Sequence, residues 1–169
     1  MWGLQKQKFS VAEATAEIHM THSYRLHYFH LIWSTKQRLS SIAPDVQLRL
    51  YPYLGAITRN HSGKLLEIGG MSDHVHLLIE LSLLDKFSHF IRDLKASSSQ
   101  WIHKNFPNLR DFAWQEGYGS FSVSYSALQG VQKYIQNQEQ PHINMSFEEE
   151  YLKFLKLHHV EYDERFVLG

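Results

Sequence analysis

The residues best placed to do chemistry lie in Asp73-His74-Val75-His76-Leu77-Leu78-Ile79-Glu80-Leu81. In a strand, alternate side chains share a face, so Val75, Leu77, Ile79 and Leu81 point to one side and His74, His76, Leu78 and Glu80 to the other. The first set suits a core packed on helices. The second presents two imidazoles about 7 Å apart along the strand, close enough to share one metal ion bound at roughly 2 Å from each nitrogen. A lone His-x-His on the polar face of a sheet needs no metal, so the pair calls for a third ligand. Asp73, Glu80 or an amide from elsewhere could supply it. The chain has no cysteine and no His-x-x-x-His, which argues against a closed structural zinc site. An open site with nitrogen and oxygen ligands, suited to a divalent ion that also binds phosphate oxygens, is what remains.

A second candidate lies in Gly130-Val131-Gln132-Lys133-Tyr134-Ile135-Gln136-Asn137-Gln138. Read as a helix, its apolar stripe runs through Leu128, Val131 and Ile135. Tyr134 lies roughly 90° around from that stripe, with Gln138 one turn further on the same side. A helical tyrosine flanking a core ordinarily packs and keeps its hydroxyl wet. It becomes a nucleophile only if a neighbour takes its proton or polarises the electrophile, because its reference pKa is near 10. A metal on His74 and His76 could do the second.

The elements that must position these groups are legible in outline. Tyr24 to Trp33 has strand composition. Pro44 and Asp45 open a helical pattern through Val46, Leu48, Leu50, Leu54, Ile57 and Thr58, which Gly63 can end in a left-handed cap; Pro52 predicts a kink or a late start. Lys64 to Ile68 and His74 to Leu81 read as strands joined by a turn through Gly69, Gly70, Ser72 and Asp73. Asp85 to Phe106 has mostly helical apolar spacing and ends at Pro107. Phe112 to Gln115 and Ser120 to Ser124 are short strand candidates, and a helix from Ser126 to Glu139 stops before Pro141. Ser146 with Glu149 forms a capping box for a last amphipathic helix through Leu155 and Leu157. The order strand, helix, strand, strand, helix, strand predicts an α+β, ferredoxin-like split βαβ sandwich: an antiparallel sheet with helices on one face, plus C-terminal helices.

Length and composition agree with one such domain. The 169 residues are 43% hydrophobic, 14% aromatic and 20% charged, which excludes disordered and fibrous classes. Residues 1–20 read as a flexible leader, with Met20 as a candidate start of the domain, and 21–169 as a single catalytic domain. No apolar run reaches the roughly 18 residues of a membrane span. The first twenty residues carry Lys6, Lys8, Glu13 and Glu17 in place of an apolar signal core. With the absence of cysteine, this points to the cytoplasm.

Asp-His-Val-His-Leu-Leu, then Phe90-Ile91-Arg92-Asp93-Leu94-Lys95-Ala96-Ser97-Ser98-Ser99, then Val131 to Gln138 resemble, in order and spacing, the single-tyrosine HUH transposases of the smallest bacterial insertion sequences. Their REP-associated relatives are similar too; Trp114-Gln115-Glu116-Gly117-Tyr118-Gly119 resembles a branch often found as solitary genes. The resemblance covers residue 23 to the end. It implies metal-assisted transesterification of single-stranded DNA at hairpin-marked ends, in a bacterial cytoplasm, for transposition. By position His74 and His76 match the HUH pair, Tyr134 the nucleophile and Gln138 the third ligand of Mg²⁺ or Mn²⁺. It further implies a homodimer joined by sheet extension, in which the tyrosine helix serves its own or its partner's histidines.

Seventeen Lys+Arg balance seventeen Asp+Glu, so total charge does not announce nucleic acid. The balance is uneven along the chain: twelve bases against nine acids between His22 and Gln140, then three against six from Pro141. Arg92, Lys95 and Lys104 on the second long helix, and Arg25, Lys36 and Arg38 near the first strand, are candidate phosphate contacts. Two other readings compete with a DNA-cleaving enzyme. One is a catalytically silent or domesticated hairpin-DNA-binding protein of the same fold. The other is an unrelated metal-dependent phosphoesterase on the same sandwich, against which stands the absence of a second His-x-Ser/Thr element.

Overall fold

The computed structural model describes residues 24–82, 86–139, 142, 144–163, 165 and 167. The leader at 1–20 and the start of the second long helix at Asp85 lie outside the described residues. The strand, helix, strand, strand, helix, strand order is as predicted: β1 (His27–Ser34), α1 (Pro44–Asn60), β2 (Gly63–Gly70), β3 (His74–Leu81), α2 (Phe87–Asn105) and β4 (Gly119–Ser122), followed by α3 (Leu128–Gln136) and α4 (Phe147–Leu157). The sheet has the order β2-β3-β1-β4 with every neighbouring pair antiparallel, so the histidine strand β3 and its partner β1 are both central.

The period-two pattern fixes which side chains meet. Leu31 and Trp33 of β1 join Val75, Leu77, Ile79 and Leu81 of β3 beneath Val46, Leu50 and Leu54 of α1 and Phe90, Ile91, Leu94 and Ile102 of α2. Burying each of these side chains contributes roughly 1.5–3 kcal/mol. On the opposite face Ile32 and Phe121 meet Phe147, Tyr151 and Leu155 of α4 in a smaller cluster. The C-terminal helices therefore roof the sheet face that carries the histidines.

Several boundaries differ from expectation for identifiable reasons. β1 begins at His27, three residues later than Tyr24. α1 runs through Pro52; the carbonyl that Pro52 leaves without an amide belongs to Leu48, an exposed residue whose backbone water can serve. The left-handed residue after α1 is Ser62 (φ 58°) and not Gly63. Gly63 instead opens β2 where a Cβ would meet Leu81 at 2.6 Å. The strand expected at Phe112 to Gln115 reduces to a single bridge between Trp114 and Thr35. Ser126 to Glu139 contributes a shorter helix, preceded by a 3-10 turn at Tyr125–Ala127. The capping box of α4 is formed: Ser146 accepts from the Glu149 amide, and Glu149 accepts from the Ser146 amide at 2.8 Å.

Candidate functional site

His74 and His76 stand on the face covered by α3 and α4, and both are fully buried. Each ring is held through Nδ1. Asp73 accepts the Nδ1–H of His74 at 2.7 Å, which leaves the His74 Nε2 lone pair facing inward. His76 Nδ1 is 2.9 Å from Nε2 of His30, which reaches across from β1. Both Nε2 atoms therefore point into one hollow, and the rings lie 5.1 Å apart, closer than the strand spacing alone suggests.

The far side of the hollow comes from α3, the turn after it and α4. Gln138 Oε1 is 3.4 Å from His74 Nε2, and Gln138 Nε2 donates to Glu150 Oε1 at 3.3 Å. The Tyr134 hydroxyl donates to the same Glu150 oxygen in a short hydrogen bond. Glu150 Oε2 is 3.0 Å from His142 Nε2, 3.2 Å from His76 Nε2 and 3.7 Å from His74 Nε2. The sequence-predicted groups His74, His76, Tyr134 and Gln138 are thus together in one chain, with the Tyr134 and His76 rings 6.1 Å apart.

Ionisation follows from burial and these contacts. Burial lowers His76 and keeps it neutral. Burial, then the neighbouring His76, takes His30 down to about 3. Burial by itself would raise Glu150, but the adjoining His76, the hydrogen bond from Tyr134 and the nearby His74 outweigh it and hold the carboxyl ionised. Burial pushes the Tyr134 hydroxyl well above the ordinary phenol range, and the Glu150 charge adds to the push. An imidazole nitrogen, an amide oxygen and an ionised carboxylate converging in a buried place are electron-rich groups that a cation would satisfy. The donor set therefore fits a divalent metal.

Asp73, one of the candidate ligands, orients His74 instead. Three participants were missed in the sequence: His30, His142 and Glu150. Glu150 sits in the acidic run Glu148-Glu149-Glu150, which reads as a solvated face. Its helical position, three residues after Phe147 and four before Phe154, places it on the apolar stripe, and a charge there was the available signal.

The candidate phosphate contacts are not part of this cluster. α2 packs on the opposite sheet face, and its exposed Arg92 and Lys104 lie on that side. Lys95 donates to the Glu116 and Gly117 carbonyls at 2.9 and 2.8 Å, and burial lowers its ammonium to about 8. Arg92 and Lys95 line a pocket of about 390 Å³ with Trp114 and Tyr118. Lys36 and Arg38 are exposed just beyond Ser34, the register partner of His74, whereas Arg25 lies at the other end of β1.

The sequence profile of a family described as "Transposase IS200 like" matches residues 23–138. The chain is similar to the ISDra2 transposase TnpA of Deinococcus radiodurans: 29% identical over 120 residues, 68% of this chain and 85% of that protein. It is similar to the transposase for insertion sequence element IS200 of Salmonella typhimurium, 25% identical over 116 residues, 65% of this chain and 75% of that one. A crystal structure described as a transposase from Deinococcus radiodurans superposes with a TM-score of 0.58 and 28% identity, covering 69% of this chain and 94% of that one. A REP-associated tyrosine transposase bound to a REP hairpin shares the fold, with a TM-score of 0.55 and 17% identity over 71% of each chain. Among the described residues no helix is long and apolar enough to cross a membrane.

Proposed function

Because the chain belongs to the IS200-like transposase family, we propose that it cleaves and rejoins single-stranded DNA at hairpin-marked ends through a covalent bond to Tyr134. The observation that carries this reading is the convergence of His74, His76, Gln138 and the Tyr134 hydroxyl on one buried hollow. His74, His76 and Gln138 are the residues that would hold Mg²⁺ or Mn²⁺, whose chemistry is to polarise the scissile phosphate and offset the charge developing on it.

Tyr134 Oη attacks phosphorus in line; its bond to phosphorus forms as the bond to the 3′-oxygen breaks. The products are a 5′-phosphotyrosyl link and a free 3′-hydroxyl. The phenol proton has an acceptor already in contact, Glu150 Oε1. Since the phosphodiester energy is retained, the 3′-hydroxyl of another strand can reverse the step and join DNA without ATP. His74 and His76 have no exposed surface, so the phosphate reaches them only after the α4 side chains give way. In this reading Lys36, Arg38, Arg25, Arg92, Lys95 and Lys104 contact the DNA backbone. The working unit is a homodimer joined through the free edge of β2 or β4, and a monomeric mass by light scattering at micromolar protein would overturn that assembly.

The test is incubation with labelled single-stranded hairpin DNA and Mn²⁺ followed by a denaturing gel. A covalent adduct is expected, and Tyr134→Phe and the His74→Ala/His76→Ala double variant each reduce it at least a hundredfold. Undiminished adduct in Tyr134→Phe would remove the nucleophile assignment. Tight hairpin binding with no adduct would make the protein a silent hairpin-binding member of the fold.

A further inference from the structure

We infer that His142 and Glu150 are ligands of the same divalent cation, so that α4 and the segment before it complete the metal centre. The inference rests on the reading of His74 and His76 as metal ligands. Neither residue lies in the span matched by the family profile, which ends at residue 138.

His142 carries the hydrogen-bond pattern of a metal-bound imidazole. Its Nδ1–H donates to the Met145 carbonyl at 2.7 Å, which leaves the Nε2 lone pair directed into the hollow. His74 is held the same way by Asp73. Both Nε2 atoms face Glu150 Oε2, His142 at 3.0 Å in hydrogen-bond contact and His74 at 3.7 Å. His76 Nε2 is fully buried 3.2 Å from the same oxygen, yet it has no hydrogen-bond partner among the described residues. A buried carboxylate this close to three ring nitrogens needs a positive partner, either ring protons or a cation, and one divalent ion serves all of these groups at once. Donors that share one ion at about 2.1 Å in tetrahedral or octahedral geometry stand about 3.0–3.4 Å from one another. The observed separations from Oε2 are close to that spacing. The ligand atoms of His74, His142 and Glu150 all lie within 4.8 Å of one another.

The carboxylate also has a reason to be where it is. Glu150 lies on the apolar stripe of α4 beside Tyr151, where an ionised side chain is costly to bury without a cation. His74, His142 and Glu150, with His76 beside the carboxylate, form a mixed nitrogen and oxygen set that suits a first-row divalent ion such as Mn²⁺.

The experiment measures Mn²⁺ affinity on the full chain without DNA, by loss of the free-ion EPR signal during titration. The expected result is at least tenfold weaker binding in Glu150→Gln and in His142→Asn. The asparagine retains a donor for the Met145 carbonyl while removing Nε2, so it carries the test if Glu150→Gln does not fold. Weaker nitrogen modulation of bound Mn²⁺ in His142→Asn is expected alongside. Affinity equal to or tighter than that of the unmodified protein in both variants would overturn the inference, because the carboxylate would then be an ion-pair partner or a competitor for the ion's place. The His74→Ala/His76→Ala variant tests the underlying reading separately: loss of binding there supports the histidine pair even when Glu150 and His142 prove dispensable, and retained binding there removes both.

Discussion

At the scale of single residues, the site is organised by which nitrogen of each imidazole is occupied. Asp73, His30 and the Met145 carbonyl take the Nδ1 atoms of His74, His76 and His142, and the three Nε2 atoms turn toward Glu150 Oε2. Away from the site, Tyr51 offers a cleaner test of burial. Its hydroxyl is enclosed with no hydrogen-bond partner among the described residues, and burial raises its pKa above the ordinary phenol value. The phenol stays protonated in the folded chain while the unfolded chain ionises near pH 10. The stabilisation is therefore complete below about pH 10 and is lost as pH rises toward the folded-state value. Tyr51→Phe is expected to stabilise the protein by about 1 kcal/mol at neutral pH, since it removes an unpaired buried hydroxyl. It should also flatten the alkaline limb. Urea midpoints measured between pH 7 and 11 check both effects.

At the scale of elements, α3 is held close to the sheet because Gly69 in β2 has no side chain. A Cβ there would lie 2.4 Å from the Ile135 carbonyl oxygen. Gly69 pairs with His76 across the β2–β3 ladder, and Ile135 follows Tyr134 directly, so this contact sets the distance between Tyr134 and the histidine strand. Gly69→Ala should push α3 outward and lower adduct formation at least tenfold while far-UV circular dichroism stays unchanged. Unaltered adduct formation would mean that the tyrosine's position does not depend on this contact. α4 is specified more locally: its capping box is written in Ser146 and Glu149, and its apolar stripe in Phe147, Tyr151 and Leu155.

At the scale of the whole molecule, charge is divided between a mildly basic span and an acidic C-terminal part. One member of that acidic part, Glu150, is turned inward. Lys36 and Arg38 lie by the histidine end of the sheet, because the Thr35 amide donates to the Asp73 carbonyl at 2.7 Å. Charge reversal of both is expected to weaken hairpin-DNA binding and to flatten the dependence of log K on log salt by about 0.7 for each lost phosphate contact. Fluorescence anisotropy at several salt concentrations reads both effects. An unchanged slope would remove Lys36 and Arg38 from the DNA path and leave the phosphate contacts to Arg25 and the cations of α2.

Local sequence determined the strand and helix order, the faces of β3, the helix that carries Tyr134 and the N-terminal cap of α4. These follow from periodicity and short-range hydrogen bonding, which act within a few residues. Even where the boundaries differed, as at Ser62 and Gly63, the elements themselves were legible. Only the tertiary structure brought His30 to His76, and Glu150 to Tyr134 and three histidines. Those contacts span 46 residues between His30 and His76 and 16 between Tyr134 and Glu150. The acidic run around Glu150 reads as solvated because a residue's burial depends on which surface its helix packs against, and the pattern within one helix does not name that surface. The packing of α4 on the histidine face turned an ordinary helical glutamate into the centre of the site.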